Sequence, residues 1–155
     1  MKGTYADGEL PDGTGLRVAV VAARFNLPIV ERLVDGAVAA LREAGVDDVA
    51  THWVPGAFEL PVVLDQLARG GADALVALGA VVRGDTPHFD FVAAEAARGA
   101  ARVALDHRVP VGFGILTTDT WEQAEARAGG AEGNKGAEAA LAAVETAVLL
   151  RELAH

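Results

Sequence analysis

Apolar and polar positions along this chain fall into blocks that predict strands and helices in turn. The first block, "LRVAVVAA" (residues 16–23), is a nearly continuous β-branched run, the mark of a strand buried on both faces. After it, Ile29, Leu33, Ala37 and Leu41 recur at helical spacing until Gly45, predicting a helix over 28–44. "VATHWVPG" reads as a second strand broken by Pro55 and Gly56. Pro61 is best tolerated in a first helical turn, so the next helix is expected from about Glu59 to about Ala68. "ADALVALGAVV" gives a third strand, and a helix follows Pro87 to about Asp106. "VPVGFGILTT" is the fourth strand; a short helix over "TWEQAEARA" and a long one over "NKGAEAALAAVETAVLLREL" complete the pattern.

Strands that alternate with helices pair in parallel through right-handed crossovers, which places helices on both faces of one sheet. The expectation is a three-layer α/β/α sandwich, flavodoxin-like, with a mainly parallel four-stranded sheet. The first fifteen residues, rich in Gly, Asp and Pro, read as an extended N-terminal arm. A chain of 155 residues is expected to form one domain over 1–155, long enough to bury a core unaided.

Composition narrows the function. Hydrophobic residues make up 52% and aromatics only 5%, so alanine and valine must carry the core. A net charge of −9 argues against a nucleic-acid or anionic-membrane partner, because both need a basic field. An anionic ligand would need cations concentrated locally against that sign. With no cysteine, a disulfide framework, a thiolate nucleophile and a cysteine metal site are excluded. His52, His107 and His155 show no metal-ligand spacing, and no metal is expected. The opening "MKGTYADGEL" lacks the apolar region of a signal peptide and no run reaches membrane-span length, so a soluble cytoplasmic protein is the expectation.

In sheets of this kind ligands sit outside the carboxyl ends of the strands. Those ends are "RFN", "PGAFE", "RGDTPH" and "TTDT", and three of them carry residues that a plain turn does not require. In "RGDTPH", Thr86 is expected as N-cap with Pro87 at the first helical position, Gly84 allows close backbone approach, and Arg83 offers a fixed charge. The free N–H groups of such a turn suit a phosphate, although a capped helix needs no ligand. His88, in the same turn, reads either as a general acid/base in its neutral form or as a surface histidine. Phe25 is poorly placed for the core, and with Phe58 it could flank a flat heterocycle; Glu59 adds a carboxylate. Arg127 and Lys135 are further cations, each with a solvated helix face as the alternative reading.

Taken in order, "RFN", "WVPGAFELP", "LGAVVRGDTPHFDFV", "PVGFGILTT", "EQAEARAG" and "GNKGAEAA" resemble the 6,7-dimethyl-8-ribityllumazine synthases of riboflavin biosynthesis. The resemblance runs from Leu16 to the final helix. It implies condensation of 5-amino-6-(D-ribitylamino)uracil with 3,4-dihydroxy-2-butanone 4-phosphate, releasing phosphate and water, without a metal or organic cofactor. By resemblance, Phe25 stacks on the pyrimidine, while Ala57, Phe58 and Glu59 with Ala80, Val81 and Val82 bind the pyrimidine and ribityl chain. Gly84, Asp85 and Thr86 hold the phosphate with Arg127, and His88 transfers protons. Phe113 and Arg127 come from the adjacent subunit of a pentamer, which in some members assembles into a 60-mer of twelve pentamers. Riboflavin synthase is implied as a further partner.

Three positions depart from the pattern. Ala131 and Glu132 stand where many members carry a lysine, and Asp85 adds a negative charge, so position 85 is expected to contribute its N–H alone. Lys135 is retained as a weaker candidate. The short connection "AGGAEGNKG" matches shell-forming members. A lumazine- or flavin-binding protein without the chemistry, and a purely structural shell, are the competing classes. Retention of His88, Arg127 and Thr86 favours the enzyme.

Overall fold

The computed structural model describes residues 9–154. Four strands, β1 (Arg17–Ala23), β2 (Asp48–Val54), β3 (Ala74–Val82) and β4 (Val111–Thr118), form one sheet in the order β2-β1-β3-β4 with every pairing parallel. The helices are α1 (Leu27–Glu43), α2 (Leu60–Arg69), α3 (His88–His107), α4 (Trp121–Ala126) and α5 (Lys135–Leu153). The three-layer α/β/α sandwich expected from the sequence is therefore the observed architecture.

The two-residue period of the central strands divides the core into its two halves. Val18, Val20 and Ala22 of β1, with Val76 and Leu78 of β3, pack against α1 and α5. Ala19, Val21 and Ala23, with Leu75 and Ala77, pack against α2 and α3. Because the buried residues are mostly small, the layers approach closely. A Cβ at Gly99 of α3 would collide with the Pro61 ring of α2, and one at Gly136 of α5 would collide with the Leu33 carbonyl of α1. Deleting a large buried side chain such as Leu33 would cost about 2–5 kcal/mol.

Several local expectations shift. The turn before α2 is a single 3-10 turn over Ala57–Glu59, and the α-helix begins at Leu60 with Pro61 in its first turn. Within "AGGAEGNKG" a small antiparallel hairpin appears, β5 (Ala128–Gly130) with β6 (Gly133–Asn134), made possible by positive φ at Gly129 and Gly133. Of the expected N-terminal arm, residues 1–8 lie outside the described residues, as does His155. Residues 12–14 of that segment are tied down: Gly13 donates to the Ala44 carbonyl at 2.7 Å, and the Asp12 carboxylate accepts from the Thr14 N–H and hydroxyl. Among the described residues no helix is long and apolar enough to cross a membrane.

Candidate functional site

The carboxyl ends of β1, β2 and β3 meet in a cleft of about 800 Å³. β1 and β2 keep pairing past their ends, since Arg24 donates to the Val54 carbonyl (2.8 Å) and Phe25 to the Pro55 carbonyl (3.1 Å). The chain then turns into α1 at Asn26, a non-glycine residue with φ 63 whose side-chain amide donates to the Ala80 carbonyl of β3 (2.8 Å). One side chain thus fixes the spacing between two walls of the cleft.

Phe25 and Phe58 project into this space, 71% and 62% exposed, so neither serves the core. Ala57 and Glu59 line the same wall, and Ala80, Val81 and Val82 form the β3 wall. Gly84, Thr86 and His88 close the third side. Ten candidate residues drawn from three separate motifs therefore converge on one cavity.

Four candidates lie elsewhere in this single chain. Asp85 is exposed and does not line the cleft. Phe113, 38% exposed, sits on β4 at the edge of the sheet. Arg127 follows α4 and donates to the Gln123 carbonyl at 3.0 Å. Lys135 opens α5, where the Asn134 side chain caps the helix by accepting from the Ala137 N–H and donates to the Arg32 carbonyl of α1.

Two readings of "RGDTPH" are corrected. Thr86 is not the N-cap of α3: the helix starts at His88 with Pro87 in the cap position, and the Asp90 N–H is taken by the Pro87 carbonyl at 3.0 Å. Proline brings no side-chain acceptor, so the first-turn N–H groups ahead of Asp90 are left to solvent or to a ligand. Arg83 does not line the cleft. Its guanidinium is held by Asp119 and Asp90 and lies over the Phe89 ring. The Asp119 hydrogen bond pushes its pKa further above the ordinary arginine value.

Phe89, Phe91 and Val92 also line the cleft beside His88, although none is among the residues expected there from the sequence. The aromatic pair in "HFDFV" was their signal. Asn26 had a signal too, as a left-handed-tolerant residue directly ahead of a helix start. Among the described residues no three His, Asp or Glu side chains group closely enough to hold a metal ion.

Comparison with known proteins bears on the chemistry this cleft supports. The family model described as 6,7-dimethyl-8-ribityllumazine synthase matches residues 15–151. A protein named 6,7-dimethyl-8-ribityllumazine synthase from Gemmatimonas aurantiaca is 58% identical over 138 residues, covering 87% of this chain and 84% of the relative. Proteins of the same name from Nitratidesulfovibrio vulgaris and Kineococcus radiotolerans are 53% and 55% identical over 145 residues. Each alignment covers 92% of this chain, with 93% and 90% of the relative.

Proposed function

The chain belongs to the 6,7-dimethyl-8-ribityllumazine synthase family, a family of transferases in riboflavin biosynthesis, and from that premise we propose how its cleft works. The chemistry is condensation of 5-amino-6-(D-ribitylamino)uracil with 3,4-dihydroxy-2-butanone 4-phosphate. The observation that carries the site assignment is the convergence of Phe25, Phe58, Gly84, Thr86 and His88 on one cavity.

Phe25 stacks on the pyrimidine, an arrangement supported by its exposure within an apolar-walled cleft. Ala57, Phe58 and Glu59 face Ala80, Val81 and Val82 across the space taken by the pyrimidine and its ribityl chain. The phosphate sits against Gly84, Asp85 and Thr86, where the uncapped start of α3 supplies N–H donors and a favourable dipole. Asp85 contributes only its backbone there. His88, one residue into the helix, moves protons during imine formation and phosphate departure. The leaving phosphate gains negative charge at a helix N-terminus, which stabilises it. Amine and ketone are intrinsically reactive, so holding them together contributes much of the acceleration.

Phe113 and Arg127 complete the cleft from a neighbouring subunit, and Lys135 is a weaker candidate beside them. That none of them lines this chain's own cleft supports a shared site, as does the exposure of Phe113 on an edge strand. The assembly is a pentamer of single-domain chains (residues 1–155), and the short "AGGAEGNKG" connection favours a 60-mer of twelve pentamers. The cytoplasm is the location of such an enzyme, and riboflavin synthase, which consumes the product, is a partner.

The decisive experiment is an absorbance assay for lumazine formation from the two substrates, paired with light-scattering mass. Product formation by an assembly of five or more chains supports the reading. An inactive protein that still binds the lumazine would favour the binding-only alternative, and a monomer would remove the shared site.

A further inference from the structure

We propose that Arg83 is a positioning residue for the phosphate loop and for His88, a role that rests on the active-site reading above. Arg83 is the first residue past β3, and its backbone N–H donates to the Thr118 carbonyl of β4 at 2.8 Å. Its side chain does not line the cleft. Instead Nε lies 2.8 Å from Asp119 Oδ1, Nη1 lies 3.7 Å from Asp90 Oδ1, and Cζ stands 4.5 Å from the Phe89 ring centroid.

Arg83 on one side, and Phe89 and Asp90 on the other, flank the segment they control. Residues 84–87 run from Arg83 to the start of α3, and Phe89 and Asp90 follow His88 directly. The guanidinium therefore joins the two ends of the loop that carries Gly84 and Thr86. Asp119 is itself anchored, because Gln123 Oε1 accepts from the N–H groups of both Asp119 (2.9 Å) and Thr120 (3.2 Å) in the capping box of α4. The anchored main chain of Asp119 thus presents, from the β4 side, the carboxylate that Arg83 meets at the approach to the α3 first turn.

The pairs are half-exposed, so they contribute little to global stability; geometry is what they supply. The residue type fits this task. A guanidinium can stack flat on an aromatic ring while its edge donates to carboxylates, whereas a lysine ammonium supplies charge without the plane.

The test compares Arg83→Met, Arg83→Lys, Asp119→Asn and the Arg83→Met/Asp119→Asn double variant. It reads kcat, KM for each substrate and Tm on the assembled enzyme. Positioning predicts that Arg83→Met and Asp119→Asn each lower kcat/KM for the phosphate substrate by about 10- to 100-fold, the scale of a small misplacement. KM for the pyrimidine and Tm stay unchanged, the double variant is no worse than the worse single, and Arg83→Lys recovers part of kcat. If Arg83→Met weakens the phosphate substrate while Asp119→Asn leaves it unchanged or improves it, Arg83 is a direct ligand and the proposal falls. Equal rises in both KM values with a lowered Tm, or no change at all, also overturn it. A wild-type enzyme that makes no lumazine overturns the active-site reading and this inference with it.

Discussion

The side-chain amide of Asn26 donates to the main-chain carbonyl of Ala80 at 2.8 Å, which ties the exit of β1 to the far end of β3. Asn26 does this from a left-handed backbone conformation, φ 63, that few side chains tolerate. Two effects are separable by substitution. Asn26→Gly keeps the conformation and loses the bond, at a cost of about 0.5–1.5 kcal/mol. Asn26→Ala loses the bond and adds left-handed strain, about 1–2 kcal/mol more. Urea unfolding should therefore rank wild type above Asn26→Gly and Asn26→Ala last. Since Phe25 is the neighbouring residue, both variants should raise KM for the pyrimidine, and an unchanged KM would show that the tie is not needed for that wall.

His88 lies beside the uncapped start of α3 and lines the cleft, the placement a proton-transfer group needs. His88→Ala should lower kcat by on the order of 10²-fold, the low end for general acid–base catalysis, because the reactants are already reactive. Assembly mass and pyrimidine affinity should hold. An unchanged kcat would remove the proton-transfer role.

Arg127 does not line its own chain's cleft, so its role is tested by mixing subunits. Arg127→Ala alone should raise KM for the phosphate substrate about tenfold, the effect of losing one charge-assisted contact, with little change for the pyrimidine. His88→Ala and Arg127→Ala homo-oligomers should each be impaired. Reassembled together they should regain part of wild-type turnover, because some sites then carry both residues. Mixtures no more active than the average of the two parents would place Arg127 outside a shared site.

The central strands and α1 were legible because their apolar positions form continuous runs or keep helical spacing: residues 16–23 predict β1, observed as Arg17–Ala23. The cleft was legible as well, since strand ends carrying Phe25, Phe58 and His88 have no use for those residues in a core. What escaped depends on pairings distant in sequence. Arg83 announces a cation beside a Gly-Asp loop, but only the fold decides that Asp119, 36 residues on, takes it. Thr86 obeys the cap rule locally, yet Pro87 occupies the cap position and its carbonyl closes the first turn. The β5–β6 hairpin has too few side chains to leave a periodic pattern, and its turn rests on two glycines.

At the opposite side of α2 and α3, His107 Nε2 lies 2.7 Å from Asp65 Oδ1, and Arg69 Nε lies 3.0 Å from Asp65 Oδ2. The hydrogen bond from His107 holds the Asp65 carboxyl below its ordinary value of 3.8; partial burial opposes this, and Arg69 adds to the lowering. A carboxyl whose pKa is lower when folded contributes stability that is fully present above its unfolded value. That contribution is lost as pH falls through 3.8 toward the folded value. Asp65→Asn removes the charge at every pH, so its Tm should lie furthest below wild type near neutrality. The gap should narrow as pH falls below about 4, where the wild-type carboxyl also becomes neutral. Arg69→Met should show a smaller gap, because the His107 contact is the larger cause. Thermal melts of the three proteins across the acid range check this. A wild-type advantage over Asp65→Asn that stays constant into strong acid would mean the α2–α3 link does not depend on the carboxylate charge.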